Sequence, residues 1–270
     1  MANNPQPSQP PSKPRASIEI NTDLAPLAPT DGFLNACEAY GLSFPAEEGE
    51  RYGLFLAHML DVNTRMNLTG ITDPEEAWLK HVFDALTIVP VLADLPDRAR
   101  VIDIGSGGGV PGLVLAIALP HLRFTLLDAT AKKCSYLEQL AAWMRLDNVS
   151  VECGRAETLG QDRGVKTGDG REGAHRGAYD AVTARAVGAL NVLLELTTPF
   201  AKAGGLCVYV KGAKADEELA QAKAALHALH CAHAGTVETP TGRLVVVEKL
   251  RDTPRAYPRR DGEPKRDPIR

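Results

Sequence analysis

The chain lacks any apolar run long enough to span a bilayer, and its amino-terminal residues hold no apolar segment of the signal-peptide kind. This excludes a membrane helix and points to a cytoplasmic protein. There is also little cysteine chemistry. The five cysteines (Cys37, Cys134, Cys153, Cys207, Cys231) form no C-x-x-C pair and no framework spacing, which excludes a disulfide scaffold and fits a reducing compartment. Positive charge is not in excess either: the formal net charge is −4. No global basic field attracts nucleic acid, so an RNA partner would have to be met by a local basic face.

What the chain does have is a core and a glycine loop. Its 270 residues are 44% apolar, enough for one large domain or two small ones. The stretch Gly105 to Gly112 reads GSGGGVPG. Before it, Arg100 to Ile104 (RVIDI) has the pattern of a buried strand. After it, Leu113 to Leu119 (LVLAIAL) has that of a buried helix. Glycines let such a loop turn sharply and approach a ligand, and the helix start offers free N–H groups. Pro111 suits a helix start, where an N–H is unpaired anyway. Gly107, Gly109 and Gly112 satisfy the dinucleotide pattern G-x-G-x-x-G. Asp103 with Gly105, Gly107 and Gly109 also satisfies D-x-G-x-G-x-G. An acid so close to the loop suits a ligand with a cationic amino-acid end, which points to S-adenosylmethionine.

Residues 1–29 hold seven prolines and read as a disordered tail. A helical cap is expected over 30–98. Its first helix carries Phe33, Leu34, Ala36 and Cys37 and closes at Gly41. Its second, over 46–63, carries the stripe Tyr52, Phe55, Leu56, Met59 and Leu60. Asp73, Pro74 and Glu76 mark a third helix start as cap, first-turn proline and third-position acid. Residues 99–250 then alternate strand and helix. Strands are expected at Arg123 to Leu127, Val149 to Cys153, Tyr179 to Thr183 and Gly205 to Val210. A terminal hairpin pairs Thr236 to Thr239 with Arg243 to Lys249. Residues 160–177 read as a flexible insertion, and 251–270 as a disordered tail with seven Lys/Arg against four Asp/Glu. The alternation predicts an α/β, Rossmann-like fold: a mostly parallel, seven-stranded sheet behind an N-terminal helical cap, as in class I S-adenosylmethionine-dependent methyltransferases.

Candidate site residues follow from strand ends. Asp128 stands 23 residues after Gly105, at the carboxyl end of the next strand, where a carboxylate grips a ribose diol. A turn aspartate capping the next helix is the plainer alternative. Ala156 and Glu157 follow the third strand and can reach an adenine, although a surface capping role for Glu157 fits the spacing as well. Arg185 ends the fourth strand; it either contacts the cofactor or the entering base, or pairs with an acid such as Asp103. Asn67, His81 and Asp84 are placed on the RNA-facing side or in the structure of the cap. Lys132 and Lys133 face solvent or phosphate, and Lys211 phosphate or solvent. His227, His230 and His233 with Cys231 resemble a metal cluster, but histidine also suits a helix carboxyl end and no second ligand pair is near. No metal is expected.

In order along the chain stand N-L-T at Asn67–Thr69, H-x-x-D at His81–Asp84, D-x-G-x-G-x-G-x-P-G at Asp103–Gly112, L-L-D at Leu126–Asp128, R-A-E at Arg155–Glu157 and A-R-A at Ala184–Ala186. Over roughly residues 30–250 this set resembles the small-subunit ribosomal RNA guanine-N7 methyltransferase family, also called glucose-inhibited division protein B. The resemblance implies S-adenosylmethionine as cofactor, with contacts at Gly105, Val110, Ala156, Glu157 and Arg185. It implies methyl transfer to N7 of a guanine in 16S ribosomal RNA, position 527 in that family. The partner is then 16S ribosomal RNA or the small ribosomal subunit, with no membrane and a monomeric chain. Departures are the loop G-S-G-G-G where the family often has G-T-G-x-G, a longer 160–177 segment and two extra tails. Other readings are a small-molecule methyltransferase, a silent binding module and a nicotinamide enzyme, the last lacking a substrate domain.

Overall fold

The computed structural model describes residues 18–167, 170–185 and 188–270. The reading of 1–29 as a tail falls largely outside them; from 18 onward the chain is packed. Ile18, Ile20 and Leu27 lie on the core of the cap, and the Leu27 N–H donates to the Gly53 carbonyl at 3.2 Å.

The cap starts with α1, Asp31–Tyr40, where Thr30 accepts the Phe33 N–H and Gly41 ends the helix in the left-handed region at φ 73°. The second helix, α2, is Ala46–Asn63. A third helical run starts at α3, Pro74–Ala77, where Asp73 accepts the Glu76 N–H as its spacing predicts. It continues through a π-helical turn, Trp78–Phe83, into α4, Asp84–Leu86, with α5, Val89–Leu92, following. Phe33, Tyr52, Phe55 and Trp78 are fully buried together, so the second helix's stripe is core, with Leu60 at its edge; on α1 Phe33 and Cys37 are buried but Leu34 is exposed.

The core elements are β1 Arg100–Ile104, α6 Gly112–Ala118, β2 Arg123–Asp128, α7 Ala131–Trp143, β3 Val149–Cys153 and α8 Ala156–Leu159. There follow β4 Val165–Thr167, β5 Gly170–Glu172, β6 Tyr179–Arg185, α9 Leu190–Thr197 and β7 Ala201–Lys211. The chain ends with α10 Ala215–Gln221, α11 Lys223–Ala228, β8 Cys231–Thr239, β9 Gly242–Lys249 and α12 Glu263–Arg266. One sheet of seven strands has the order β3-β2-β1-β6-β7-β9-β8. Pairs from β3 to β7 are parallel, and β9 is antiparallel to both β7 and β8. Alternate residues of the strands face opposite layers. Leu126 joins the cap, α6 and α7, while Ile102, Ile104 and Leu127 join α9 to α11. This is the class I methyltransferase architecture. The sheet reverses its winding between β1 and β6, so the crevice outside their carboxyl ends is where such a fold binds ligands.

Two segment readings need correction. Residues 251–270 are not a loose tail. Arg259 makes a two-pronged contact with the fully buried Glu195 of α9, at 2.7–3.2 Å, and Pro264 is buried. In the 160–177 segment β4 and β5 pair as an antiparallel hairpin, and residues 168–169 lie outside the described ones. Its return is fastened by Arg176, whose guanidinium donates to the carbonyls of Gly160, Thr253, Pro254 and Tyr257 at 2.7–3.1 Å. The hairpin arm β8 is also longer than expected, starting at Cys231.

Candidate active site

The glycine loop is fixed from below. Gly105, Gly107 and Gly109 have φ of 77°, 55° and 101°, values that side chains with a Cβ rarely adopt. The amides of Gly105 and Ser106 donate to the Leu127 carbonyl at 2.8 and 3.0 Å, which ties the loop to β2. Asp103 does not reach the ligand side, contrary to its reading as partner of a cationic ligand. It is 1% exposed, and its carboxylate accepts from the Thr183 hydroxyl at 3.0 Å and the Gly112 N–H at 3.2 Å. Burial pushes this carboxyl up to about 6. Its role is to join β1, β6 and the start of α6. Gly112 leaves no room above it: a Cβ there would lie 2.2 Å from Leu126 Cδ2 and 3.0 Å from Asp103 Cβ. Gly112→Ala is expected to destabilise the chain by about 1–3 kcal/mol through overpacking. A urea midpoint equal to that of the unsubstituted chain would show instead that the loop yields.

Above the loop lies a groove of two lobes that meet at Gly105 and Asp128. One lobe, about 290 Å³, is walled by Ala156, Glu157 and Val192. The other, about 490 Å³, is walled by Val110, Arg185 and the cap residues Met59, Leu68 and Thr69. All six residues selected from the sequence thus lie on one groove. Asp128 faces both lobes. Its Oδ1 accepts the Thr130 N–H at 2.8 Å and its Oδ2 the Gly107 N–H at 3.0 Å, which fixes the carboxylate and leaves each oxygen a further lone pair. Asp128 does not cap α7, whose N-cap is Thr130; its bond to the Thr130 N–H closes a turn ahead of the helix.

Arg185 joins the core to the cap. Its guanidinium donates to the Lys80 carbonyl, reaches His81 Nδ1 at 2.9 Å and lies 3.8 Å from Asp84 Oδ2. It does not hydrogen-bond Asp103. The π-helical turn carries Lys80 and His81 to this point, and single-turn π segments recur at functional sites. His81 Nε2 is 3.0 Å from the Thr69 hydroxyl, so accepting from Arg185 at Nδ1 makes Nε2 the donor. Burial and the Arg185 charge push the His81 pKa down to about 4. Burial raises that of Asp84, a residue of the larger lobe, against the opposing effect of a hydrogen bond with Thr241 and the charges of Arg185 and Lys80.

A pH effect follows. Below its usual pKa of 6.5 the unfolded histidine takes up a proton that the folded His81 refuses until about pH 4. Unfolding free energy therefore drops as pH falls through that window, by up to roughly 3 kcal/mol. Asp103, raised to about 6, contributes with the opposite sign as pH falls from 6 towards 3.8. The His81 part is isolated by comparison with His81→Gln, which keeps an acceptor and a donor. The gap between the two urea midpoints should change in favour of the variant from pH 7 to pH 4.5, and parallel curves would refute it.

Other candidates are placed elsewhere. Asn67 is exposed and does not line the groove, whereas Lys133 does. Lys211 is taken by Glu218 at 2.6 Å and the Gly188 carbonyl at 3.0 Å, so it is not a phosphate ligand in waiting. His230 contacts the Asp252 carbonyl and His233 the Thr236 hydroxyl, each at 2.9 Å. No group of three or more His, Cys, Asp or Glu side chains among the described residues could hold a metal ion, and no helix among them is long and apolar enough to cross a membrane. The A-R-A motif is described as far as Arg185; Ala186 lies outside the described residues.

Two contributions escape sequence reading. Asn63, the last residue of α2, accepts the N–H groups of Leu68 and Thr69 at 2.8 and 3.0 Å and so holds the N-L-T turn. The smaller lobe is closed by Asp261, Gly262 and Lys265 of the C-terminal segment. The Gly262 N–H donates to Glu157 Oε1 at 3.0 Å, and Arg155 stands 3.6 Å from Asp261. A proline-rich, charged segment gives no periodic signal for this.

Residues 50–244 match the model of the GidB family, rRNA small subunit methyltransferase G. A ribosomal RNA small subunit methyltransferase G of Sorangium cellulosum is 48% identical over 235 residues, 87% of this chain and 94% of that one. Proteins of the same name from Streptococcus pyogenes serotype M1 and Bacillus mycoides are 37% and 36% identical, covering 90% and 88% of this chain and 100% and 97% of theirs. With the motifs in the expected order on one groove and most of its length matched, the chain belongs to the rRNA small subunit methyltransferase G family.

Proposed function

We propose that the chain transfers the methyl group of S-adenosylmethionine to N7 of a guanine in 16S ribosomal RNA, the guanine at position 527 by family resemblance. The observation that carries this is the two-lobed groove with Asp128 at its waist. One lobe suits the adenosine of the cofactor, with the ribose on Asp128 and the adenine beside Ala156 and Glu157. The other, bounded by the cap, suits the methionine end and the target base. Gly105, Val110 and Arg185 line the path between them.

The cofactor supplies the electrophilic methyl; the chain supplies alignment and exclusion of water. Guanine N7 offers an in-plane lone pair and has no proton to lose, so the reaction requires no base. The groove fits that demand. His81 is spoken for at both nitrogens. An exocyclic amine acceptor would call for an N/D-P-P-Y/F clamp after the fourth core strand, where this chain has Thr183-Ala184-Arg185-Ala186. A C5 pyrimidine acceptor requires a thiolate. Cys207 is fully buried, its thiol pushed up to about 12 by burial, and no cysteine lines either lobe. Asp84, on the cap side of the larger lobe with its Oδ2 3.8 Å from Arg185, is the acid we place beside the entering base.

The test is mass mapping of 16S ribosomal RNA from cells lacking the chain, with purified chain and labelled cofactor added back. One N7-methylguanosine should disappear and return. A methyl group on an exocyclic amine, or transfer to small molecules alone, would overturn the proposal. Asp84→Asn puts an amide in place of the acid and is expected to raise KM for RNA about tenfold, at about 1.4 kcal/mol per factor of ten. Cofactor affinity unchanged alongside would separate base selection from cofactor binding.

A further inference from the structure

The end of the sheet away from the groove carries a second cavity, about 350 Å³, lined by Arg51, Arg98, His121, Arg123, Arg145 and Asp147. It lies at the amino ends of β1, β2 and β3, where Arg100, Arg123 and Val149 begin the strands. A strand of six residues spans roughly 20 Å, so one base cannot occupy both places.

Four guanidinium groups share this cavity with one carboxylate, in a chain whose formal net charge is −4. Only Arg51 is engaged among the described residues: its Nη2 donates to the Met144 carbonyl at 3.0 Å. Arg98, Arg123 and Arg145 are exposed and make no ion pair or side-chain hydrogen bond with any described residue. Like charges gathered without partners repel, and an anion removes that cost. His121 lines the same cavity. Its backbone carbonyl accepts the Arg98 N–H at 2.7 Å, which fixes one wall against the other.

We propose that this cavity docks a phosphodiester of the ribosomal RNA substrate, at the opposite end of the sheet from methyl transfer. The inference rests on the ribosomal RNA reading above. Arginine's planar fork matches phosphate oxygens, and a chain with no overall positive charge must gather RNA through such local clusters. RNA held here is anchored some distance from the reacting base, so the substrate is a folded RNA or particle and not a short oligonucleotide.

The test uses the full chain with Arg98→Asn, Arg123→Gln and Arg145→Asn combined. Asparagine is chosen at 98 and 145 because both backbones are left-handed, with φ of 64° and 54°. Affinity for 16S ribosomal RNA is measured by filter retention over a range of salt. It should fall tenfold or more, and the slope of log affinity on log salt should shrink by about two to three. Affinity for S-adenosylhomocysteine, read by calorimetry, should stay at the wild-type value and shows that the variant is folded. Wild-type RNA affinity and slope in the variant would overturn the proposal. So would titration of inorganic phosphate into a wild-type site lost in the variant while RNA binding persists, because the ligand would then be a free anion. Methyl transfer to the same RNA by the unsubstituted chain is run in parallel; its absence would count against the functional reading and not against this docking site.

Discussion

Asp128→Ala is expected to lower affinity for S-adenosylmethionine at least a hundredfold. Two losses add. The carboxylate holds the Gly107 and Thr130 N–H groups at 3.0 and 2.8 Å, so its removal frees the glycine loop where it turns over the groove. In the proposed pose the same oxygens accept from the two ribose hydroxyls. Hydrogen bonds to a charged group contribute about 1.5–3 kcal/mol each, and about 1.4 kcal/mol is a factor of ten in affinity. Loss of both ribose bonds therefore suffices without the loop. Asp128→Asn keeps one carbonyl acceptor and should fall between, at roughly tenfold or a little more. Calorimetry with S-adenosylhomocysteine reads both variants, and near-wild-type urea midpoints would show that the sheet is intact. Affinity within threefold of wild type for Asp128→Ala would mean that the sugar is not held there.

That carboxylate was legible in the chain because everything that places it is local. A β-branched run, a glycine turn and an apolar helix specify β1 and α6. A second such run ends on Asp128, and right-handed crossovers put the two strand ends side by side. Ala156, Glu157 and Arg185 follow from strand ends in the same way, whereas Val110 is given only by the family resemblance. Asp103 shows its limit. The motif gives an acid near the loop, but only the packing of Thr183 and Gly112 around it shows that its carboxylate is buried inside the chain and off the groove wall. The π turn at Trp78–Phe83 was not legible, since its residues read as an ordinary helix and it matters through Arg185, more than a hundred positions later. The first half of β8, CAHAG, is rich in small residues and largely unburied, so it lacks the alternating apolar pattern of a strand. The C-terminal segment was illegible for the strongest reason. It has few apolar residues and no period, and its order comes from an ion pair between positions 64 residues apart.

That ion pair sets the second large effect. Glu195 is fully buried on α9, a helix otherwise made of Leu, Val, Asn and Thr. It accepts the Arg259 backbone N–H at 2.8 Å as well as the guanidinium bonds, and Arg259 also donates to the Asp267 carbonyl at 2.7 Å. Arg259→Ala leaves Glu195 buried with no counter-charge, a change expected to cost about 3–5 kcal/mol. Part of that cost is relieved if the segment peels away and water reaches Glu195, so local opening should precede global unfolding. Peeling takes Asp261, Gly262 and Lys265 off the smaller lobe and breaks the Gly262 to Glu157 bond. Trypsin should then cut at Lys265 and Arg266 well before the core, and cofactor affinity should fall about tenfold. Saturating S-adenosylhomocysteine should slow that cutting, because a ligand that binds only the closed form stabilises it. Replacing both partners, Glu195→Leu with Arg259→Leu, removes the buried charge and should recover most of the midpoint. Cofactor affinity should recover with it only to the extent that the segment returns to the lobe, which the same digestion reads. If Arg259→Ala is digested and binds cofactor like the unsubstituted chain, the C-terminal segment is a passenger on α9 and the smaller lobe does not hold the cofactor as proposed.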